Sequence, residues 1–194
     1  MKGKKEKFEE INKKLFPTLV NKNKSSKKFI ITFFGVPGSG KTTLSKDISK
    51  KYDAVIINND KIREIIIKEK LVSNEEEKEN LLQEYNKYLL KNFPFKNKRI
   101  VLDKSMDRRY LEFKKIFEEE KLPYFLIRIN SSEKIALQKI SKREEITNQL
   151  KRSMKRWLKD YNFSKLNFNC DLTINSENPN LKKLFNKLDL LLNS

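Results

Sequence analysis

The sequence predicts an α/β domain in which helices cover both faces of a parallel, five-stranded sheet. Short runs rich in β-branched and aromatic residues alternate with longer runs of helical periodicity, which is typical of parallel sheets. A chain of 194 residues is long enough for one such domain. The predicted strands are residues 29–34, 54–58, 100–103, 124–129 and 172–174.

Residues 1–28 are assigned to a basic N-terminal helix and linker, and residues 29–194 to the main domain. Phe8, Ile11 and Leu15 recur at helical spacing, and the residues that follow are polar. The helix either docks on the main domain or carries an interaction of its own, and the spacing does not decide between the two.

The segments between the predicted strands carry apolar residues at helical spacing. One of these stripes, in the second half of the chain, consists of Leu150, Met154, Trp157 and Tyr161. The residues that mark the helix starts are Asp60, the capping box of Ser73 and Glu76, Asp107, Ser132 and, in the first turn of the last helix, Pro179.

Composition limits the metal chemistry and the location of the protein. There is no His and a single Cys, Cys170, which excludes an internal disulfide and the usual Cys/His zinc site. Any metal is therefore expected to have oxygen ligands, with Mg²⁺ the first candidate. No apolar run approaches the roughly 18–20 residues of a membrane span and no secretory signal is evident, so a cytoplasmic location is expected.

The net charge of +18 comes from 44 Lys and Arg against 26 Asp and Glu. Such an excess is expected of a protein that neutralises nucleic-acid phosphates. The abundance of Lys, Asn and Ile equally fits the coding bias of an A+T-rich genome, so the charge alone leaves a nucleic-acid partner open.

The strongest motif is residues 35–42, Gly-Val-Pro-Gly-Ser-Gly-Lys-Thr, which satisfies G-x-x-x-x-G-K-[ST], the Walker A pattern. It follows a predicted strand and precedes a helical run, which is the context that a phosphate-binding loop requires. Lys41 would reach the β- and γ-phosphates, and the Thr42 hydroxyl would bind Mg²⁺. The residues expected to bind the nucleotide are Gly35, Gly38, Ser39, Gly40, Lys41, Thr42 and Thr43.

Two other classes of nucleotide protein fit poorly. A GTPase would show D-x-x-G, which is missing, and the formal N-K-x-D at residues 186–189 lies inside the last predicted helix. An assembly ATPase of the AAA+ type would need a C-terminal helical domain that the residues after the last strand cannot supply. The size favours a compact phosphotransferase.

Polar residues follow each predicted strand, at the edge where open parallel sheets bind ligands. Asp60 would accept the hydroxyl proton, and Arg63 beside it would bind a phosphate or carboxylate of the substrate. The alternative is that Asp60 is only an N-cap and Arg63 only a surface residue. Asp103 would hold Mg²⁺ through water, unless it only ends a strand. Asn175 and Ser176 are candidates for contacts to adenine.

A helical lid is predicted over the phosphates. Lys139, Lys142 and Arg143 share one helix face, and Arg143 would stabilise charge on the transferred group. The alternative is a solvated basic face.

Together these residues resemble the polynucleotide-kinase and zeta-toxin-like branch of the P-loop kinases, ATP-binding kinases of the AAA_33 type. The branch includes enzymes similar to chloramphenicol phosphotransferase. The resemblance spans roughly residues 29–161, although at 103–106, where relatives often have Asp-x-Thr-Asn, this chain has Asp-Lys-Ser-Met. The segments that carry it are residues 35–43, 57–63, 101–103, 107–109 and 141–143.

The resemblance implies a three-layer P-loop NTPase/kinase fold with a small helical lid. It also implies transfer of the ATP γ-phosphate to a hydroxyl. In that reaction Asp60 would act as general base, Arg63 would bind the acceptor, and Arg143 would contact the donor phosphates. ATP and Mg²⁺ are the expected cofactors. The favoured acceptor is a 5′-hydroxyl of a nucleic acid or nucleotide. The alternatives are a small-molecule kinase acting on a nucleoside, sugar nucleotide or antibiotic, and an ATP-gated RNA-binding protein without transfer.

Overall fold

The computed structural model describes residues 3–18, 29–92, 99–142 and 145–193. Five strands and eight α-helices lie within these ranges. The strands are β1 (Phe29–Phe34), β2 (Val55–Asn58), β3 (Arg99–Ser105), β4 (Tyr124–Asn130) and β5 (Leu172–Asn175). The helices are α1 (Lys4–Leu15), α2 (Lys41–Tyr52), α3 (Asn59–Lys68), α4 (Glu75–Asn92), α5 (Tyr110–Glu119), α6 (Glu133–Ser141), α7 (Asn148–Asn167) and α8 (Leu181–Asn193).

The five strands form one sheet in the order β2-β3-β1-β4-β5, and every pairing is parallel. All carboxyl ends therefore lie at the same edge. β1 is central, and the strand order reverses there between β3 and β4, which is where ligands bind in open α/β sheets. The predicted three-layer α/β fold is confirmed.

Alternate residues of β1 enter separate cores on the two faces of the sheet. Ile30 and Phe34 pack in the core that contains residues of α1, α3, α4 and α5. Ile31 and Phe33 pack in the core that contains residues of α2 and α8. Both faces of β1 are buried, which explains why all of its residues except Thr32 are apolar.

Helix α1 packs against the main domain through its apolar stripe. Phe8, Ile11 and Leu15 are all buried in the first of these cores. The hydroxyl of Tyr85 in α4 donates a hydrogen bond of 2.6 Å to Asn12 Oδ1. Of the two roles that the sequence left open for this helix, the structure shows docking. The predicted linker at residues 21–28 lies outside the described residues.

Four predicted helix starts, at Asp60, Ser73, Asp107 and Pro179, are wrong by one or two residues. The N-caps of α3 and α5 are Asn58 and Arg109 instead of Asp60 and Asp107. Asn74, not Ser73, caps α4, because its Oδ1 accepts a 2.9 Å bond from the backbone N–H of Glu77. The Glu77 carboxylate in turn accepts from the backbone N–H of Ser73 at 2.9 Å. Pro179 precedes α8 instead of lying in its first turn, and Asn180 Oδ1 accepts a 2.9 Å bond from the N–H of Lys183. An Asn side chain competes well for these positions.

The N-K-x-D sequence at residues 186–189 lies within α8, as predicted. Asp189 accepts hydrogen bonds from Lys51 and from the Tyr52 hydroxyl, each at 2.8 Å. These contacts tie α8 to α2, so the motif has a structural role here. None of the described helices is long and apolar enough to cross a membrane.

Candidate functional site

The loop between β1 and α2 forms a glycine-dependent cradle at the central switch point of the sheet. Gly38 and Gly40 have φ angles of +79° and +104°, which L side chains rarely adopt. A Cβ at Gly38 would lie 2.4 Å from the carbonyl oxygen of Ala136 in α6. Glycine is thus required both by the turn of the loop and by the close approach of α6.

Lys41 lies at the start of α2, and its side chain folds back over the loop. Its Nζ donates to the carbonyl oxygens of Gly35 at 2.7 Å and Val36 at 2.8 Å. The buried Ser39 Oγ has no hydrogen-bond partner within the described part of the chain. A mobile cation, a polar atom in need of a partner and the N-terminus of α2 together suit an anion such as a triphosphate.

Thr42 and Asp103 bring two oxygen atoms together beside this loop. The Thr42 hydroxyl donates to Asp103 Oδ1 at 3.3 Å, and Asn58 Nδ2 donates to Asp103 Oδ2 at 2.6 Å. The described residues contain no cluster of three or more His, Cys, Asp or Glu that could enclose a metal. A hydroxyl and one carboxylate fit Mg²⁺, which takes few protein ligands and completes its shell with water and substrate phosphates.

Asp60 and Arg63 lie at the start of α3, beside the Asp103 site. Asn58, not Asp60, caps this helix, because its Oδ1 accepts from the backbone N–H of Asp60 at 2.8 Å. The Asp60 side chain is 86% exposed, and its Oδ1 accepts a 2.6 Å bond from Arg63 Nη1. The interpretation of Asp60 as an N-cap is therefore wrong, and its carboxylate is accessible to a ligand.

Glu79 of α4 is a further member of this site that sequence reasoning missed. Arg63 Nε donates to Glu79 Oε1 at 2.7 Å, so two carboxylates share the guanidinium. Burial lowers the pKa of Arg63, but the bonds and charges of Glu79 and Asp60 outweigh burial and raise it. Burial raises the pKa of Glu79, but the bond to Arg63 and the positive charges nearby outweigh burial and lower this pKa below its usual value. No spacing in the sequence pairs Arg63 with a residue on another helix.

Lys104 is the second residue that the sequence analysis missed. It follows Ile100 and Leu102 on the same face of β3, so strand alternation could have placed it inside. It is only 8% exposed, and its Nζ lies 3.8 Å from the ring centroid of Phe113. Burial, together with the positive charges of Arg109 and Arg63, lowers the pKa of Lys104 to about 7.

Asp107 joins three elements at the base of the cradle. Its buried carboxylate accepts a 2.9 Å bond from the backbone N–H of Gly35, the first residue of the loop. It also accepts from the hydroxyls of Ser105 in β3 and Ser164 in α7. The sequence analysis noted Asp107 only as a helix start and part of a motif.

Helices α6 and α7, where a lid was predicted, pack against the loop, but the three cations predicted for the lid differ in their surroundings. Ala136 and Ile140 of α6 and Met154 of α7 form a cluster with Val36 of the loop. Lys139 Nζ donates to the carbonyl oxygen of Ser176 at 2.6 Å and Lys142 is exposed, whereas Arg143 lies outside the described residues. Thr43 is exposed at the start of α2.

The two candidates for adenine contacts lie beyond β5. Asn175 Oδ1 accepts from the backbone N–H of Glu177 at 2.9 Å, and Ser176 is buried. Asn175 also lines a cavity of about 370 Å³ between α7 and the carboxyl ends of β4 and β5, where Tyr161 and Asn130 are other lining residues.

The sheet order and the loop at its centre define a P-loop nucleotide-binding protein. The chain belongs to the AAA_33 family, described as an AAA domain, which matches residues 30–162. No curated protein matches the sequence.

Several solved structures share the fold. A protein of the PezAT toxin-antitoxin system of Streptococcus pneumoniae is 14% identical, with a TM-score of 0.66 over 89% of this chain and 77% of its own. APE1195 is 16% identical, with a TM-score of 0.59 over 88% and 98% of the two chains. A sugar kinase from Janibacter sp. HTCC2649 is 16% identical, with a TM-score of 0.53 over 85% and 94%. At these identities the likeness extends to the fold alone.

Proposed function

We propose that this protein is an ATP-dependent phosphotransferase that moves the γ-phosphate of ATP to an acceptor hydroxyl. One observation carries the proposal: a chain of hydrogen bonds links the phosphate loop to the Asp60 side of the sheet edge. The Thr42 hydroxyl bonds Asp103, and Asp103 bonds Asn58. Asn58 in turn caps α3, which has Asp60 in its first turn. Donor and acceptor groups would thus be held side by side, which is the main requirement of phosphoryl transfer.

The donor side would be held by the cradle and Lys41. When the triphosphate binds, the Lys41 ammonium exchanges its two carbonyl partners for phosphate oxygens and neutralises part of their charge. Thr42 and Asp103 would hold Mg²⁺, which supplies further charge neutralisation on the phosphates. The proposed contact of Arg143 with the donor phosphates belongs to the same step and derives from the sequence resemblance.

The acceptor side would be served by Asp60 and Arg63. The acceptor oxygen forms its bond to the γ-phosphorus, the bond from that phosphorus to the β-γ bridging oxygen breaks, and the departing group is ADP. The hydroxyl proton passes to the exposed Asp60 carboxylate. Arg63 holds Asp60 in place at 2.6 Å and is anchored from behind by Glu79.

The favoured acceptor is a 5′-hydroxyl of a nucleic acid or nucleotide, as in polynucleotide kinases. Arg63 supports it, since Asp60 and Glu79 use three of the five N–H donors of its guanidinium, and the other two could bind a phosphate. A small-molecule kinase is the second candidate. It is supported by the two carboxylates around Arg63, because Asp60 and Glu79 suit a hydroxylated neutral acceptor better than a polyanion.

The test measures transfer of labelled γ-phosphate from Mg-ATP to a panel of acceptors. The panel contains 5′-hydroxyl RNA and DNA oligonucleotides, nucleosides, UDP-sugars, hexoses and water. Lys41→Ala should abolish transfer, and Lys46→Ala, an exposed lysine of the same helix, should leave it unchanged. Label on an oligonucleotide supports the favoured acceptor, and label only on a small acceptor supports the second candidate. ATP binding without transfer to any acceptor would favour a binding protein and overturn the proposal.

A further inference from the structure

Helix α7 carries a row of exposed cations that ends on an exposed aromatic ring. Lys151, Lys155, Lys159 and Phe163 recur every four residues and therefore share one face of the helix. All four are exposed, Phe163 by 57%. Arg152 and Arg156 flank the row. The single acidic residue of α7, Asp160, forms an ion pair with Arg108 of the β3–α5 connection.

Helix α7 carries the largest net positive charge of the described helices, because six Lys and Arg against one Asp give +5, whereas α2 has +3 and α8 has +2. In α5, Lys114 and Lys115 pair with Glu118 and Glu119 one turn away. In α4, Lys78 pairs with Glu75. Across the described ranges, no carboxylate forms an ion pair with the lysines of the α7 row.

The opposite face of α7 is already occupied by the protein. Met154 and Tyr161 pack with α6 and the phosphate loop in one cluster, and Ser164 is buried. The exposed large apolar residues of α7 are Phe163 and Leu166 near its C-terminal end, which do not form the continuous apolar stripe that an interfacial helix requires. The ring of Phe163 is held by one contact, edge-on to Phe168 at a centroid distance of 5.9 Å, and its outer face stays open.

We propose that the Lys151–Lys155–Lys159–Phe163 face of α7 binds single-stranded nucleic acid. The lysines advance about 6 Å per step along the helix and neutralise successive backbone phosphates. Phe163 offers a ring on which one base stacks, a combination typical of surfaces that bind single strands without sequence preference. As a docking surface for the acceptor strand this rests on the proposed kinase function, whereas the binding itself does not need phosphoryl transfer.

The test titrates the full chain with a uridine RNA of about 12 nucleotides, with a free 5′-hydroxyl and a fluorescent 3′ end, by anisotropy between about 50 and 200 mM salt. In the triple variant Lys151→Gln, Lys155→Gln, Lys159→Gln, the slope of log affinity against log salt should fall in magnitude by about 2. This follows from about 0.7 released counterions per phosphate contact on a single strand. Affinity at the low-salt end should drop at least about tenfold.

A matched triple variant controls for the loss of net charge. Lys50→Gln, Lys182→Gln and Lys183→Gln remove three exposed lysines from α2 and α8, and should leave the slope near that of the wild type. Equal losses in the two triples, or an unchanged slope in the α7 triple, would overturn the proposal. Binding to anionic phosphatidylserine vesicles but not to RNA would overturn it in favour of a membrane surface.

Two single variants complete the test. Phe163→Leu should weaken binding by about fivefold or more, because base stacking needs the ring, whereas packing against Phe168 needs only apolar bulk. Phe163→Tyr keeps a ring and should bind as the wild type does. Equal affinity in the Leu and Tyr variants would contradict the stacking role. Lys41→Ala should lose phosphoryl transfer and keep RNA affinity, so a failure of the kinase proposal is distinguishable from a failure of this one.

Discussion

At the scale of single residues, Asp107 holds the phosphate loop in place through contacts that span the chain. Its carboxylate accepts from the N–H of Gly35 and from the Ser105 and Ser164 hydroxyls, which belong to β3 and α7. One buried side chain thus links the start of the cradle to α7. Removing it would leave the Gly35 N–H and the Ser105 hydroxyl without their acceptor, whereas the Ser164 hydroxyl can still donate to the Tyr161 carbonyl.

Asp107→Ala should lower the free energy of unfolding by roughly 2–4 kcal/mol, since each unsatisfied buried group costs about 1–3 kcal/mol. Asp107→Asn should cost less, because its amide oxygen can still accept from Gly35. Urea unfolding followed by circular dichroism measures both, with exposed Glu64→Ala as the control. A loss below about 0.5 kcal/mol for the Ala variant would contradict this role for Asp107.

The sequence predicted the cradle residues because the motif is contiguous and its spacing is imposed by phosphate geometry. It did not predict Glu79, Lys104 or the full set of contacts of Asp107. Glu79 and Asp107 have partners on other elements, and periodicity carries no information about which elements meet. The burial of Lys104, by contrast, could have been predicted from the alternation of β3. The pairing of Asp60 with Arg63 was predictable because the two lie one helical turn apart.

At the scale of elements, helix ends were the least accurate part of the sequence prediction. The apolar stripes of α1, α5 and α7 predicted the helices themselves, whereas the predicted starts of α3, α4, α5 and α8 were displaced by one or two residues. Adjacent Ser, Asn and Pro residues all suit a helix start, and only the hydrogen bonds made in the fold select one.

The cap of α4 gives a matched pair of variants. Asn74→Ala should lower the free energy of unfolding by about 1 kcal/mol, because the N–H of Glu77 loses its acceptor. Ser73→Ala should change it by less than about 0.5 kcal/mol, since Ser73 contributes its backbone N–H to the Glu77 carboxylate. Chemical denaturation of the two variants measures both losses. A larger loss for Ser73→Ala than for Asn74→Ala would show that Ser73 is the cap.

Docking of α1 should contribute to the stability of the whole domain. Ile11 is fully buried between α1 and the core, so Ile11→Ala should cost about 2–4 kcal/mol in free energy of unfolding. Ile67→Ala on α3 removes the same side chain from a site that is 59% exposed, and should cost less than about 1 kcal/mol. Equal effects, measured by denaturant midpoints, would indicate that α1 does not pack on the domain in solution.

At the scale of the whole molecule, the alternation of apolar runs was enough to predict the layers and the parallel sheet. The strand order was not predicted, because it depends on which strands pair. That order places the cradle, Asp103 and Asp60 at neighbouring carboxyl ends, which are the ends of β1, β3 and β2. The charge also becomes interpretable only at this scale, since the structure shows which lysines have acidic partners.

The central claim is that the carboxyl edge holds a nucleotide on one side and activates an acceptor hydroxyl on the other. The most direct test is Asp60→Asn, followed by transfer of labelled γ-phosphate across the acceptor panel and by calorimetric titration with Mg-ATP. The account predicts a loss of turnover of about 10²–10⁴ with unchanged ATP affinity, because a general base acts on the acceptor alone. Glu64→Gln, on an exposed position of the same helix, should leave both unchanged. Turnover close to that of the wild type, a parallel loss of ATP affinity, or no transfer by the wild type to any acceptor would contradict the account.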